Sequence, residues 1–361
     1  MLSGGAGTRL RPLTHTSAKQ LIPVANRPVL FYALDAVAAA GIVETGIVVG
    51  DTEDEIRAAV GDGSAFGLRV TYLRQESPLG LAHAVRIARD FLADDPFVMY
   101  LGDNVLTGGI TALVEEFARA NAAGEADATI LLTRVPDPRQ FGVAELDAAG
   151  HVVGLEEKPA HPRSDLALAG VYLFGPAVHD AVAAISPSAR GELEITDALQ
   201  RLLDDGRTVR SHVVTGYWKD TGRVEDLLDA NRTMLDLQQA DVRGAVDDTS
   251  EVTGAVVVEA GAVIEGSRLV GPLVVGARTT VLGCVLGPYA SVGEGCVLQD
   301  TSVADTIVLA GTRVRGGRLG ASLLGREVEV ELPPGGPEYR LVLGDHSSVG
   351  CHGGADGGKG P

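Results

Sequence analysis

Between Val252 and Val330, small apolar residues return about every six positions, a step that neither an α-helix nor an alternating strand produces. Val258, Ile264 and Val270 keep the step, and so do Leu286, Val292 and Leu298. Gly, Ala, Ser, Thr and Cys fill the intervals, as in Val292-Gly-Glu-Gly-Cys-Val297. One such repeat cannot bury its own apolar face, so stability requires stacking onto neighbours. The pattern predicts a left-handed parallel β-helix of hexapeptide repeats, with roughly three hexads to a triangular coil. It blurs after Leu309. Beyond Gly344, the run Asp345-His-Ser-Ser-Val-Gly-Cys-His352 passes into a glycine-rich end that reads as disordered. The expected boundaries are an α/β domain over residues 1–240, the β-helix over 241–344 and a tail over 345–361.

The α/β domain is inferred from alternation. Pro28 to Ala40 reads as a helix, with proline in its first turn and Gly41 just past its end. Ile47–Val49 is a strand, and Thr52-Glu-Asp-Glu55 has the form of a capping box opening the next helix. Strand-like runs follow at Leu68–Leu73, Phe97–Leu101, Thr129–Thr133 and Leu168–Phe174. Helical stretches at Leu81–Leu92 and Ile110–Ala120 lie between them, and Val224–Leu237 closes the domain. This order predicts a mostly parallel, Rossmann-like sheet covered on both faces, with ligands at the carboxyl ends of its strands. Only Met1 and Leu2 precede Ser3, whereas a strand takes about five residues; a start placed inside the true first strand is the favoured reading.

Ser3-Gly-Gly-Ala-Gly-Thr-Arg-Leu-Arg-Pro12 has the composition of a phosphate loop. Gly4, Gly5 and Gly7 let the backbone approach an anion closely, and Arg9 adds a planar pair of donors for phosphate oxygens. Leu10 stands where a dinucleotide fingerprint needs its third glycine, and the Gly-Lys-Ser/Thr of a P-loop is missing. The net charge of −18 argues against nucleic acid or an anionic membrane as partner. Asp35 interrupts the longest apolar stretch, so no membrane span is expected. Three cysteines, Cys284, Cys296 and Cys351, without metal-ligand spacing suit free thiols in a reducing cytoplasm.

The loop does not stand alone. Lys19-Gln-Leu-Ile-Pro-Val24, Gln75–Ala82, Leu101-Gly-Asp-Asn104, Phe141-Gly-Val143, Glu156-Glu-Lys-Pro159, Arg190–Asp197 and Trp218-Lys-Asp-Thr-Gly222 follow it. In this order and spacing the first two thirds of the chain resembles the sugar-1-phosphate nucleotidylyltransferases. The hexapeptide repeats, with Leu79 and Phe141, make it similar to the long-form glucose-1-phosphate thymidylyltransferases.

The resemblance implies attack of a sugar-1-phosphate oxygen on the α-phosphorus of dTTP, with loss of pyrophosphate. It implies that Arg9, Lys19 and Lys158 are catalytic. Gly4, Gly5, Gly7, Thr8, Gln75, Pro78 and Gly80 would bind the nucleotide, the Gln75 amide pairing with the imide edge of the base. Gly142, Glu157, Lys158 and Leu168 would bind glucose 1-phosphate, and Asp103 and Asp220 would hold Mg²⁺. Arg190–Asp197 matches the family but carries no assigned chemistry beyond capping a helix.

Three alternatives are weighed. UTP differs from dTTP by one methyl, which is worth only about 1–3 kcal/mol in a pocket. An acyltransferase built on the repeats would need a base, yet all eight histidines lie outside Val252–Val330. A non-catalytic sensor would have no need of Arg9, Lys19, Asp103, Lys158 and Asp220. The repeats are expected to be architectural, so that a chain ending near Gln239 keeps its activity. The sequence is compatible with assembly into a homo-oligomer.

Overall fold

The strand Leu166–Phe174 is buried at all 9 of its positions, and it anchors the first half of the protein. Its neighbour Ala128–Arg134 is almost as deeply covered. Successive side chains of a strand point to opposite faces, so a strand covered on both sides must be apolar throughout. Val171 and Leu173 enter one core with Leu34, Ile47 and Phe117. Tyr172 and Phe174 enter the other with Val85, Met99 and Leu199.

The computed structural model describes residues 1–5 and 7–350, which divide into two units. The first comprises Met1–Ala6, Ser17–Ile22 and Pro28–Thr221; the second comprises Gly7–Thr16, Pro23–Arg27 and Gly222–Pro361.

In the first unit, β1 (Leu2–Ser3), β2 (Glu44–Val49) and β3 (Arg69–Arg74) run parallel, with β2 central. A parallel bridge from Leu2 to Leu101 carries the order on to β4 (Phe97–Tyr100). Next come β5 (Asn104–Leu106), β6 (Ala128–Arg134), β7 (Gly142–Leu146), β8 (Val152–Glu157), β9 (Leu166–Phe174) and β10 (Val209–Val213). The mixed character of the sheet arises at β9, which is antiparallel to β4, β6 and β7, while β10 is parallel to β6. Short β11 (Trp218–Asp220) pairs antiparallel with β5.

Helices α1 (Val29–Ala39), α2 (Glu53–Val60), α3 (Leu81–Ile87), α4 (Thr111–Ala122), α5 (Val178–Ala184) and α6 (Ile195–Asp204) belong to this unit. Pro28 caps α1, and Gly41 follows it with φ +78°. The capping box expected at α2 does not close, because Thr52 makes no side-chain cap bond. Glu55 is drawn instead to the Ala18 N–H, which it accepts at 2.8 Å. No helix among the described residues is long and apolar enough to cross a membrane.

The second unit contains the repeats. They form three parallel ladders of 7, 7 and 6 strands, so each coil stacks on the one before it. The coils fall short of three full hexads: Val257 pairs with Val274, and Ser291 with Ile307. Consequently Leu269, not Val270, takes the inward place after Ile264. The stacking stays regular past Leu309 and reaches Ser348–Gly350, beyond the boundary expected at Gly344. The rest of the expected tail, residues 351–361, lies outside the described residues.

Small hydroxyls close the corners. Thr279 Oγ1 donates to the Gly293 carbonyl at 2.7 Å and accepts from the Cys296 N–H at 3.1 Å. Thr312 does the same with Gly325 and Val328. Buried amides at a tight corner would otherwise be unpaired, which explains the Ser and Thr of the repeats.

Helix α7 (Val224–Asp236) also belongs to the second unit. Its buried Asn231 accepts from the Ala25 N–H at 2.8 Å and from Ser291 Oγ at 2.6 Å, and donates to the Tyr289 carbonyl at 3.0 Å. Arg232 Nε donates to Asp305 at 2.7 Å. Segment Gly7–Thr16 meets the far end of the repeats. Thr16 Oγ1 donates to Asp345 at 2.8 Å, and a Cβ added at Gly344 would lie 3.0 Å from the Pro12 carbonyl oxygen. A chain ending at Gln239 would lack these partners of Gly7–Thr16. Such a chain is expected to be cleaved after Arg9 by trypsin much faster than the full chain. Equal cleavage rates would show that the segment holds itself.

Candidate active site

Asp103 ends the turn that follows β4, and the turn itself depends on Gly102. A Cβ there would lie 2.8 Å from both the Leu2 carbonyl oxygen and Leu30 Cδ1. The Asp103 carbonyl accepts from the Thr221 N–H at 3.0 Å and from Thr221 Oγ1 at 2.8 Å. The Asp103 carboxylate pairs with Lys19 Nζ and accepts from Asn104 Nδ2 at 2.9 Å. Burial alone would raise the Asp103 pKa; the adjacent Lys19 ammonium and the Asn104 amide outweigh it and hold the group below the usual carboxylate range. Register places Asp220 opposite Asn104, next to Asp103 in the β5–β11 pair. Trp218 Nε1 donates to Asn104 Oδ1 at 2.8 Å, which locks that pair.

Lys19 opens the short turn Lys19–Leu21, directly after the Ala18 amide held by Glu55. A Cβ on Gly5 would lie 3.0 Å from Lys19 Cε, so glycine there leaves room for the lysine stem. Gly4 lies against Gln75, whose Oε1 would be 3.3 Å from an added Cβ. Gln75 Nε2 lies 3.0 Å from His83 Nδ1. Burial, then Arg86, lowers the His83 pKa, and a neutral ring protonated on Nε2 can accept that amide hydrogen. Nothing in the sequence marks His83 beyond its place in the first turn after Gly80. Pro78 is exposed. Gly80 has φ +102°, and a Cβ there would lie 2.3 Å from the Leu193 carbonyl oxygen.

A second cluster joins Gly142, Glu157, Lys158 and Leu168. A Cβ on Gly142 would lie 2.6 Å from Thr196 Oγ1, 3.1 Å from Glu157 Oε2 and 3.4 Å from Leu168 Cδ1. Thr196 Oγ1 donates to Glu157 at 2.7 Å, while Lys158 Nζ and Arg190 Nη2 each lie 3.4 Å from its other oxygen. Lys158 takes φ +44°. Arg190–Asp197 thus does more than cap α6. Arg190 and Thr196 grip Glu157, and Leu193 N–H donates to the Leu79 carbonyl at 2.8 Å.

The remaining loop residues, Gly7, Thr8 and Arg9, belong to the second unit. Gly7 has φ +60°, and its carbonyl accepts from Thr14 Oγ1 at 2.7 Å and from the Leu10 N–H at 2.9 Å. Thr8 and Arg9 are exposed in the turn Thr8–Leu10. The glycine-rich stretch, continuous in sequence, is therefore shared between the two units.

Residues 1–237 match the nucleotidyl transferase family. The chain belongs to that family. It is 59% identical over 349 residues to a glucose-1-phosphate thymidylyltransferase of Streptomyces griseus, covering 96% of this chain and 97% of the relative. It is 54% identical over 351 residues to the enzyme of that name from Streptomyces antibioticus, covering 97% and 98%. A Bacillus anthracis crystal structure, of a chain assigned as a glucose-1-phosphate thymidylyltransferase and complexed with sucrose, superposes with a TM-score of 0.61 at 34% identity. It covers 66% of this chain and 96% of its own.

The Lys19–Asp103 pair yields a prediction. Removing one partner of a nearly buried pair strands the other charge, at a cost of about 3–5 kcal/mol. Lys19→Met is expected to destabilise the protein by that order near neutral pH and to raise the Asp103 pKa. Because the stranded group is a carboxylate, the cost should fade as the pH falls and Asp103 takes a proton. Urea unfolding at a series of pH values checks this, and a pH-independent cost would contradict it.

Proposed function

We propose that the protein transfers the thymidylyl group of dTTP to α-D-glucose 1-phosphate, giving dTDP-glucose and pyrophosphate for deoxysugar synthesis. The observation that carries the reading is likeness to glucose-1-phosphate thymidylyltransferases along almost the whole chain. The site chemistry agrees with it. A phosphate oxygen of the sugar attacks the α-phosphorus in line, a new P–O bond forms, and the bond to the β-phosphate bridge breaks. No proton has to move, so positioning and neutralisation of charge are what the residues must supply.

Lys158, beside Glu157, meets the sugar phosphate, and Glu157 takes sugar hydroxyls in a pocket floored by Gly142 and Leu168. Lys19 neutralises the triphosphate. Arg9, with the amides of Gly5, Gly7 and Thr8, takes the charge that grows on the leaving pyrophosphate. Gln75, oriented by His83, reads the base. Among the described residues there is no group of three or more His, Cys, Asp or Glu that could hold a metal. Two neighbouring aspartates fit Mg²⁺, which takes one or two carboxylates and completes its shell with phosphate and water. Asp103 and Asp220 would hold it, and bound there it would neutralise phosphate charge. Buried free thiols at Cys284 and Cys296 agree with a reducing cytoplasm; Cys351 lies outside the described residues.

Turnover of dTTP and UTP, side by side with glucose 1-phosphate, tests the reading; a preference for UTP would overturn the choice of base. Asp103→Asn and Asp220→Asn are each expected to lower kcat by roughly 10²-fold or more; Asp103→Asn also strands the Lys19 ammonium and should destabilise the fold, so its kcat is read on protein shown to be folded. Near wild-type kcat at saturating Mg²⁺ would remove that residue from the metal site. Gly142→Ala puts a methyl against Thr196 and Glu157, so it should raise the KM for glucose 1-phosphate while the KM for dTTP stays nearly constant. An equal rise in both would place Gly142 outside the sugar pocket.

A further inference from the structure

Arg9, Arg223 and Arg340 line one recess of about 460 Å³ in the second unit, with Val224, Glu225 and Val342. They come from three distant stretches of chain: the Gly7–Thr16 segment, the residue ahead of α7, and the end of the repeats. The whole chain carries a net charge of −18, yet three guanidinium groups here share the lining with one carboxylate. That carboxylate, Glu225, is already engaged by Arg340 Nη2. Backbone and guanidinium donors hold its pKa below the usual range, so it stays ionised, and the lining sets three guanidinium groups against this one carboxylate.

The end of the repeats also fixes the segment that carries Arg9. Thr16 is tied to Asp345, and Pro12 lies so close to Gly344 that a Cβ there would meet its carbonyl oxygen and its Cβ at 3.0 and 3.2 Å. Guanidinium groups are planar forks suited to phosphate oxygens, and several around one recess favour an anion with several charges.

We propose that this recess takes a diphosphate group, with Arg223 and Arg340 binding it beside Arg9, so that the last coil of the repeats is a working part of the enzyme. The inference rests on the function proposed above, in which Arg9 meets the leaving pyrophosphate; the contribution of the repeats is the new element.

The test uses the full chain, with inorganic pyrophosphate and Mg²⁺ as the probe in calorimetry, and kinetics in both directions. Arg340→Gln should weaken pyrophosphate binding and raise the KM for pyrophosphate in the reverse reaction by roughly ten-fold, with an effect that shrinks at high salt. The KM for glucose 1-phosphate should not change. Glu225→Gln should tighten pyrophosphate binding by removing the competing acid. Arg313→Gln, at an exposed arginine elsewhere on the repeats, should change neither. Unaltered pyrophosphate binding and KM in Arg340→Gln would overturn the proposal. A further outcome is that orthophosphate shifts wild-type rates through Arg340 while the pyrophosphate KM stays fixed. That result would also overturn it, assigning the recess to free phosphate. If the wild type makes no nucleotide sugar from dTTP, yet binds pyrophosphate through Arg340, the functional reading falls and the anion site stands.

Discussion

A carboxylate held out of water beside one lysine is expensive to leave alone, and the first unit is organised around keeping Asp103 paired. Its side chain meets Lys19 and Asn104, its carbonyl meets Thr221, and the glycine before it lets β1 and α1 approach. Asn104 passes the restraint to Trp218 and so to β11, the strand that ends in Asp220. One register sets Asp220 opposite Asn104, the residue after Asp103, from far along the unit's sequence. Shifting β11 by one residue would turn Asp220 to the other face of the pair. Fold and candidate metal site are therefore specified by the same few hydrogen bonds.

The stretch Arg190–Asp197 has a comparable joining role. Leu193 sits on the glycine that opens α3, while Arg190 and Thr196 hold Glu157. Asp197 lies in the same acidic neighbourhood, where burial, then Glu194 and Glu157, raises its pKa. The Gln75–Gly80 segment and the Gly142–Glu157 cluster are thus braced by one loop. In the proposed reaction these would be the base and sugar subsites, whose relative placement sets the line of attack. A rigid brace suits a reaction that depends on positioning.

How much of this was legible follows from the range of each interaction. The repeats were legible because every coil repeats one local demand, an inward apolar residue between small corners. The step departs from six at Val270, and the ladders continue past Leu309 and Gly344, because corner length and extent are set by how a coil stacks on its neighbour. Helix α1 was legible from Pro28 and Gly41. The capping box at Thr52 failed because Glu55 has a better use 37 positions away, at the Ala18 amide. Asp103 and Asp220 could be picked out as strand-end carboxylates within family motifs. Thr196 and His83 could not be given roles, since nothing local in the sequence says that they reach Glu157 and Gln75. Long-range side-chain pairs leave no periodic trace, and the site is made largely of them.

The boundary between the units shows the same limit on a larger scale. Composition changes near residue 240, which predicts a boundary there. Packing divides it earlier and more than once, because α7, the Ala25 turn and the Gly7–Thr16 segment all find their partners among the repeats. A stacked solenoid is well suited to hold such segments. Each coil is fixed by backbone ladders on three sides, so its end presents residues such as Gly344 and Asp345 on a stiff frame. An arginine in an exposed turn has several rotatable bonds to order before it can serve a phosphate. Packing the flanking Pro12 and Thr16 against the coils removes part of that freedom in advance. In the proposed reaction the repeats would preorganise the segment that carries Arg9, a role that requires no base, nucleophile or metal of their own.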